Sequence, residues 1–312
     1  MRPHSFRCVS LILGCVALVP RASSAAPATA AFAPATQAAT RPSQAAVLAP
    51  NTVARLDVPY GADPKQMLDI YAPKGASDAP VVVYVHGGEW TRGDKAEISY
   101  KPAFLNAHGI VLISINYRLS PAWAHPAQVD DVASSIAWVK AHAAELGASP
   151  RRIILMGHSA GCHLVTLVAL DPRVLARAGL KPSDLAGVVA WSGGSYDLVD
   201  KVRSASSYAP YIRQTFGDAE AAWRDASPIA HVKDFSPLPG FLFVSAEKGN
   251  ASEKAAQNLA SLIQSAGGEA ATHTLENRTH FTSDHLLGAP EDTTGRLLLD
   301  FINEPAHLQG NR

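Results

Sequence analysis

Apolar and polar residues alternate over residues 53–60 and again over 66–71, and a Gly/Asp/Pro turn separates the two runs. A period of two on either side of a turn predicts an antiparallel hairpin at a sheet edge. Farther along the pattern changes. Residues 81–85, 110–115, 153–156, 185–191 and 241–244 are short and mostly continuous apolar runs. Such runs fit strands buried on both faces of a parallel sheet, and 270–275 reads as the last of the series. Residues 131–146 are Ala-rich and periodic, 159–170 follow a strand directly, and 252–266 and 294–302 come late. All four read as helices. Strands alternating with helices predict an α/β fold, with a mostly parallel central sheet flanked by helices on both faces.

The composition supports one globular unit and removes several function classes. Of 312 residues 47% are hydrophobic and 17% charged, too much apolar material and too little charge for a disordered chain. Lys+Arg and Asp+Glu are equal at 27 each, so binding to nucleic acid driven by phosphate charge loses its main support. Cys8, Cys15 and Cys162 make neither a disulfide framework nor the paired spacing of a zinc site. With no phosphate loop and no dinucleotide fingerprint, the sequence implies no cofactor and no metal.

At the N-terminus Arg2 and Arg7 precede an apolar run over 9–19 that only Ser10, Gly14 and Cys15 interrupt, and small residues follow at 22–26. This layout predicts a secretory signal peptide over 1–25, cut after Ala25 or Ala26, and a secreted or periplasmic chain. The run is too short to cross a bilayer as a helix, so no stable membrane insertion is expected. Cys15 after Leu11-Ile12-Leu13-Gly14 loosely matches a lipoprotein box, the weaker reading because residues 16–19 continue the apolar run. Residues 26–50, almost entirely Ala, Pro, Thr, Ser and Gln, read as a flexible linker. The working domain is then 51–312.

Its chemistry gathers at strand ends. The strand over 153–156 runs into Gly157-His158-Ser159-Ala160-Gly161 and then an apolar helix. That context makes the five residues a nucleophile elbow, with glycines where strand and helix approach and Ser159 at the helix start. His86-Gly87-Gly88-Glu89-Trp90 leaves the strand over 81–85. The N–H groups of Gly87, Gly88 and Ala160 are therefore predicted to form an oxyanion hole. His86 is expected to shape that loop rather than act as a base, and Glu89 is expected to point to solvent.

A serine hydroxyl needs a base, usually a histidine held by a carboxylate. His280 follows the last strand and is preferred as base over His273, inside that strand, and His285. The acid should follow the strand over 241–244. Glu247 is the only carboxylate directly there, with Glu253 and Asp284 as fallbacks.

These stretches, together with Leu68-Asp69-Ile70-Tyr71-Ala72-Pro73, Gly93-Asp94-Lys95, Asn116-Tyr117-Arg118-Leu119, His125-Pro126-Ala127 and Ser227-Pro228-Ile229, resemble the esterase group of the α/β-hydrolase fold. That group includes hormone-sensitive-lipase-like carboxylesterases, arylformamidases and feruloyl-esterase-like proteins. The resemblance implies Ser159 as nucleophile, His280 as base and the Gly87, Gly88 and Ala160 amides as oxyanion hole. One departure stands out: relatives carry Asp in a Gly-x-x-Asp-like turn after the penultimate strand, where this chain has Lys248-Gly249.

Between 191 and 241 the chain carries Tyr196, Tyr208, Tyr211, Phe216 and Trp223, expected to roof the serine with an aromatic pocket. The function this predicts is hydrolysis of small carboxylic esters. The alternatives are an arylformamidase or amidase on the same machinery, and a hydrolase-fold binding protein without catalysis.

Overall fold

A computed structural model describes residues 46–234 and 238–304; the predicted signal peptide and most of the predicted linker lie outside them. The end of that linker is tied to the domain. Val47 N–H donates to the Ser99 carbonyl at 2.9 Å and its carbonyl accepts from Ala103 N–H at 3.0 Å.

The alternating runs become β1 (Thr52–Pro59) and β2 (Met67–Pro73). The apolar runs become β3 (Ala79–Val85), β4 (Val111–Ile115), β5 (Ala148–His158), β6 (Gly187–Trp191), β7 (Gly240–Ser245) and β8 (Ala270–Thr274). They form one eight-stranded sheet in the order β1-β2-β4-β3-β5-β6-β7-β8. β1 pairs with β2, and β2 with β4, in antiparallel fashion. From β4 to β8 every pairing is parallel. β3, β4, β6 and β7 are buried at every position, which explains why they read as unbroken apolar runs. The chain has the α/β-hydrolase fold.

Helices cover both faces. On one lie α2 (Ala127–Ala141), α3 (Ala160–Leu170) and α8 (Ala251–Ser265); on the other, α1 (Lys101–Ala107) and α10 (Gly295–Asn303). All eleven residues of α3 are buried, as expected of a helix apolar on every side. α2 starts and stops earlier than its pattern suggested. α1 was not legible at all, because its buried face carries Lys101 and Asn106 beside Pro102 and Leu105, which breaks the apolar stripe.

Those buried polar groups are matched. Lys101 Nζ lies 2.9 Å from Asp284 Oδ1 and donates to the Asp284 carbonyl at 2.8 Å, and the Tyr84 hydroxyl donates to the same carboxylate at 2.9 Å. Asp284 belongs to α9 (His280–His285). Burial alone would raise its pKa, but Lys101, His158 and Tyr84 together hold the carboxyl below the usual range. The helix that begins with His280 is thereby clamped to β3 and α1.

α4 (Pro172–Arg177) precedes β6, and between β6 and β7 the chain makes α5 (Leu198–Arg203), α6 (Ala209–Phe216), α7 (Glu220–Asp225) and a 3-10 stretch (Pro228–Asp234). The aromatic roof expected here is a correction. Tyr196, Phe216 and Trp223 are buried in the core and Tyr211 packs against it. Of these five, Tyr208 alone lines the hollow above Ser159. Large rings in a short helical excursion contribute more by closing their own core than by facing an opening.

Candidate active site

The site is assembled at the carboxyl ends of the parallel strands. Ser159 sits between β5 and α3 at φ 55°, ψ −116°, a conformation costly for a side-chain-bearing residue and held only by its surroundings. Those surroundings require the two glycines. A Cβ at Gly157 would lie 2.3 Å from the Gly161 backbone, and one at Gly161 would lie 2.1 Å from the Val85 carbonyl oxygen. Cys162 is buried one residue later, its Sγ 3.1 Å from the Gly157 carbonyl and 3.2 Å from that of Trp191.

His280 Nε2 stands 3.0 Å from Ser159 Oγ. It is the first residue of α9, whose cap Thr279 accepts from Thr282 N–H. Burial is the largest influence on its ring and His158 the next; Asp284 and Glu247 oppose them, and the pKa is held down to about 4. The ring is therefore neutral at pH 7 and able to accept a proton. Neither His273 nor His285 takes this place. His273 is exposed on β8, and His285 Nδ1 meets Ser99 Oγ at 3.2 Å.

The other ring nitrogen departs from expectation. His280 Nδ1 faces Ser192 Oγ at 3.0 Å, and no carboxylate hydrogen-bonds to the ring among the described residues. Glu247 is exposed, with Asn250 Nδ2 3.4 Å from its Oε2, and reaches His280 only through space. The fallback acids are engaged elsewhere: Glu253 accepts from Thr274 Oγ1 and Gly249 N–H, and Asp284 holds Lys101 and Tyr84. Sequence reading missed Ser192. It is the first residue after the apolar run that becomes β6, a place that by itself names no partner.

The β3 loop is close by. A Cβ on Gly87 would fall 2.9 Å from Ser159 Cβ, so this backbone passes directly beside the serine. The N–H groups of Gly87, Gly88 and Ala160 make no hydrogen bond among the described residues. Glu89 and Trp90 continue the loop at φ 49° and 61°. Trp90 anchors it, buried with its indole N–H donating to His163 Nδ1 at 3.2 Å and its ring edge-on to Phe216. His86 stacks on Tyr117 with centroids 4.4 Å apart, Nδ1 2.7 Å from the Gly87 carbonyl, and burial lowers its pKa to about 4. It shapes the loop, as expected. Glu89 does not point to solvent: its side chain is mostly buried against Arg92, 2.8 Å away.

A hollow of ≈ 400 Å³, counting its open mouth, lies over Ser159 and His280; Glu89, Ser195, Lys201 and Tyr208 bring polar groups to its wall. Among the described residues no group of histidines, cysteines and carboxylates is arranged to hold a metal ion, and no helix is long and apolar enough to cross a membrane.

Against known proteins, the family model described as BD-FAE matches residues 68–261, from β2 through the elbow into α8. The chain belongs to the BD-FAE family. The sequence is 34% identical over 199 residues to Esterase LipC of Mycobacterium tuberculosis, an alignment covering 59% of this chain and 49% of that protein. It is 30% identical over 261 residues to a probable isoprenylcysteine alpha-carbonyl methylesterase of Arabidopsis thaliana, covering 76% of this chain and 54% of the relative. This BD-FAE chain thus spans about half the length of the curated relatives it matches. The inhibited Esterase B of Lactobacillus rhamnosis superposes with a TM-score of 0.70 at 21% identity, covering 85% of this chain and 90% of that one. At that identity the likeness concerns the fold.

Proposed function

We propose that this protein is a serine hydrolase of small carboxylic esters, with Ser159 as nucleophile, His280 as general base, and the Gly87, Gly88 and Ala160 N–H groups as oxyanion hole. The observation that carries the reading is the 3.0 Å approach of a neutral His280 Nε2 to the hydroxyl of a serine on a strained elbow. Ser159 Oγ attacks the ester carbonyl carbon while its proton passes to Nε2, and the carbonyl oxygen gains charge beside the free amides. Collapse breaks the bond to the alcohol oxygen, which leaves with the proton from Nε2. Water then repeats the sequence on the acyl-serine, releasing the acid and restoring Ser159.

The two relatives, an esterase and a probable methylesterase, support an ester rather than an amide as substrate. A small hollow with polar groups in its wall favours a short acyl group over a long chain. The test is labelling by a fluorophosphonate together with hydrolysis of short p-nitrophenyl esters. Both should vanish in Ser159→Ala, and labelling that persists in that variant would overturn the assignment. The N-terminal pattern supports export as part of the same proposal; N-terminal sequencing of the mature chain should read from position 26 or 27.

A further inference from the structure

Resting on the esterase reading above, we propose that Ser192 is the positioning residue for His280, taking the place that a carboxylate holds in a Ser-His-acid triad. Its Oγ lies 3.0 Å from His280 Nδ1 while Nε2 faces Ser159 at the same distance. For Nε2 to accept the Ser159 proton it must carry none itself, so Nδ1 must bear the ring hydrogen and the oxygen beside it must accept. The Ser192 backbone carbonyl adds to this by favouring a proton on the ring.

Ser192 is built to stay there. It is 5% exposed, sits at φ 59° just past β6, and its N–H donates to the Val244 carbonyl at 2.7 Å. Its neighbour Gly193 has no room for a side chain, since a Cβ would meet Cys162 Cβ at 2.4 Å. The end of β6 is thus fixed against β7 on one side and against the first turn of α3, beside Ser159, on the other. A neutral hydroxyl fixes the ring's tautomer and orientation as a carboxylate does, but lends less stabilisation to the imidazolium.

The charged and titratable groups around the ring are His158 from β5, Glu247 beyond β7, and Asp284 on its own helix with Lys101 of α1 behind it. Asp284 is neutralised by Lys101, and Glu247 is exposed. With no carboxylate in contact, the acid limb of kcat/KM should lie well below 6.5, near the value of about 4 that burial imposes.

The experiment compares Ser192→Ala, Ser192→Asp and Glu247→Gln in the full chain on a short p-nitrophenyl ester, alongside 15N-histidine NMR with His280→Gln for assignment. Ser192→Ala should lose about 10- to 100-fold in kcat with KM little changed, and its His280 resonances should lose the Nδ1–H tautomer. Ser192→Asp should move the acid limb upward by about one pH unit or more, as a contacting carboxylate does. A loss on Glu247→Gln smaller than that on Ser192→Ala supports the proposal. It is overturned if Ser192→Ala keeps the parent kcat and tautomer, or if Glu247→Gln is the variant that collapses turnover. The NMR arm separates the two readings. A parent that hydrolyses no ester, yet loses its tautomer in Ser192→Ala, keeps the positioning role and refutes the esterase.

Discussion

His158 and His280 lie ring against ring, centroids 4.7 Å apart, and His158 Nε2 meets the His280 carbonyl at 3.0 Å. The variable residue of the elbow therefore braces the backbone that carries the proposed base. A carbonyl only accepts, so Nε2 carries hydrogen, and burial lowers the His158 pKa and keeps the ring uncharged beside its neighbour.

Replacing this brace should be felt at the base. His158→Ala is expected to lower kcat by about 10-fold while Ser159 still labels, because His280 loses alignment rather than chemistry. Steady-state kinetics with probe labelling in one preparation checks this; equal kcat would show that the contact does not position the ring.

The base itself is tested by paired substitutions. His280→Gln should cost about 10³-fold or more in kcat, whereas His273→Gln, altering a ring on β8 outside the hollow, should stay within about threefold. A reversed order would move the base to β8.

Gly161→Ala probes the elbow through stability. The new methyl would sit 2.1 Å from the Val85 carbonyl oxygen, a backbone atom that cannot swing aside. A loss of about 3 kcal/mol or more is expected in urea unfolding, with little soluble protein recovered. Near-parental stability would mean that β3 and α3 can separate.

The clamp under α9 gives a fourth outcome. Lys101→Met leaves the Asp284 carboxylate buried without its cation, which should cost about 3–5 kcal/mol. Adding Asp284→Asn should recover part of that loss, and a double variant no more stable than Lys101→Met would contradict the pairing.

Acid should unfold the protein early. His86 and His163 are 1% and 0% exposed, and burial lowers their pKa values to about 4 and about 3. Unfolded, each would protonate near 6.5. Their contribution is complete above about pH 6.5 and is lost as pH falls toward the folded values, at up to about 1.4 kcal/mol per pH unit for each. Urea midpoints at pH 7, 6 and 5 should fall in that order; a flat series would mean that both rings protonate in place.

Sequence patterning carried the sheet because buried parallel strands leave an unmistakable apolar signature, and it singled out Ser159 and Gly87, which the fold sets side by side, because elbow and loop are local in the chain. His280 could be placed from its position after the last strand. Ser192 could not be read as its partner: a hydroxyl after a strand is common, and the pairing spans 88 residues. Glu247 had the expected chain position but an exposed side chain, a distinction that only the three-dimensional path past β7 decides. α1 escaped because two buried polar residues, each satisfied by a distant partner, occupy the face where apolar residues would have announced a helix.

The distances along the chain also bear on how the molecule comes together. Ser159 and His280 are 121 residues apart, and Tyr84 reaches 200 residues ahead to Asp284. Contacts of that separation form slowly, because long loops must close before they are rewarded. The elbow can be in place as soon as β3, β5 and α3 have met, while the proposed base arrives only with α9 after β8. Recovery of turnover during refolding would then time the last step of assembly, trailing the return of secondary structure, and a chain ending at β7 would carry a serine with no proton acceptor beside it.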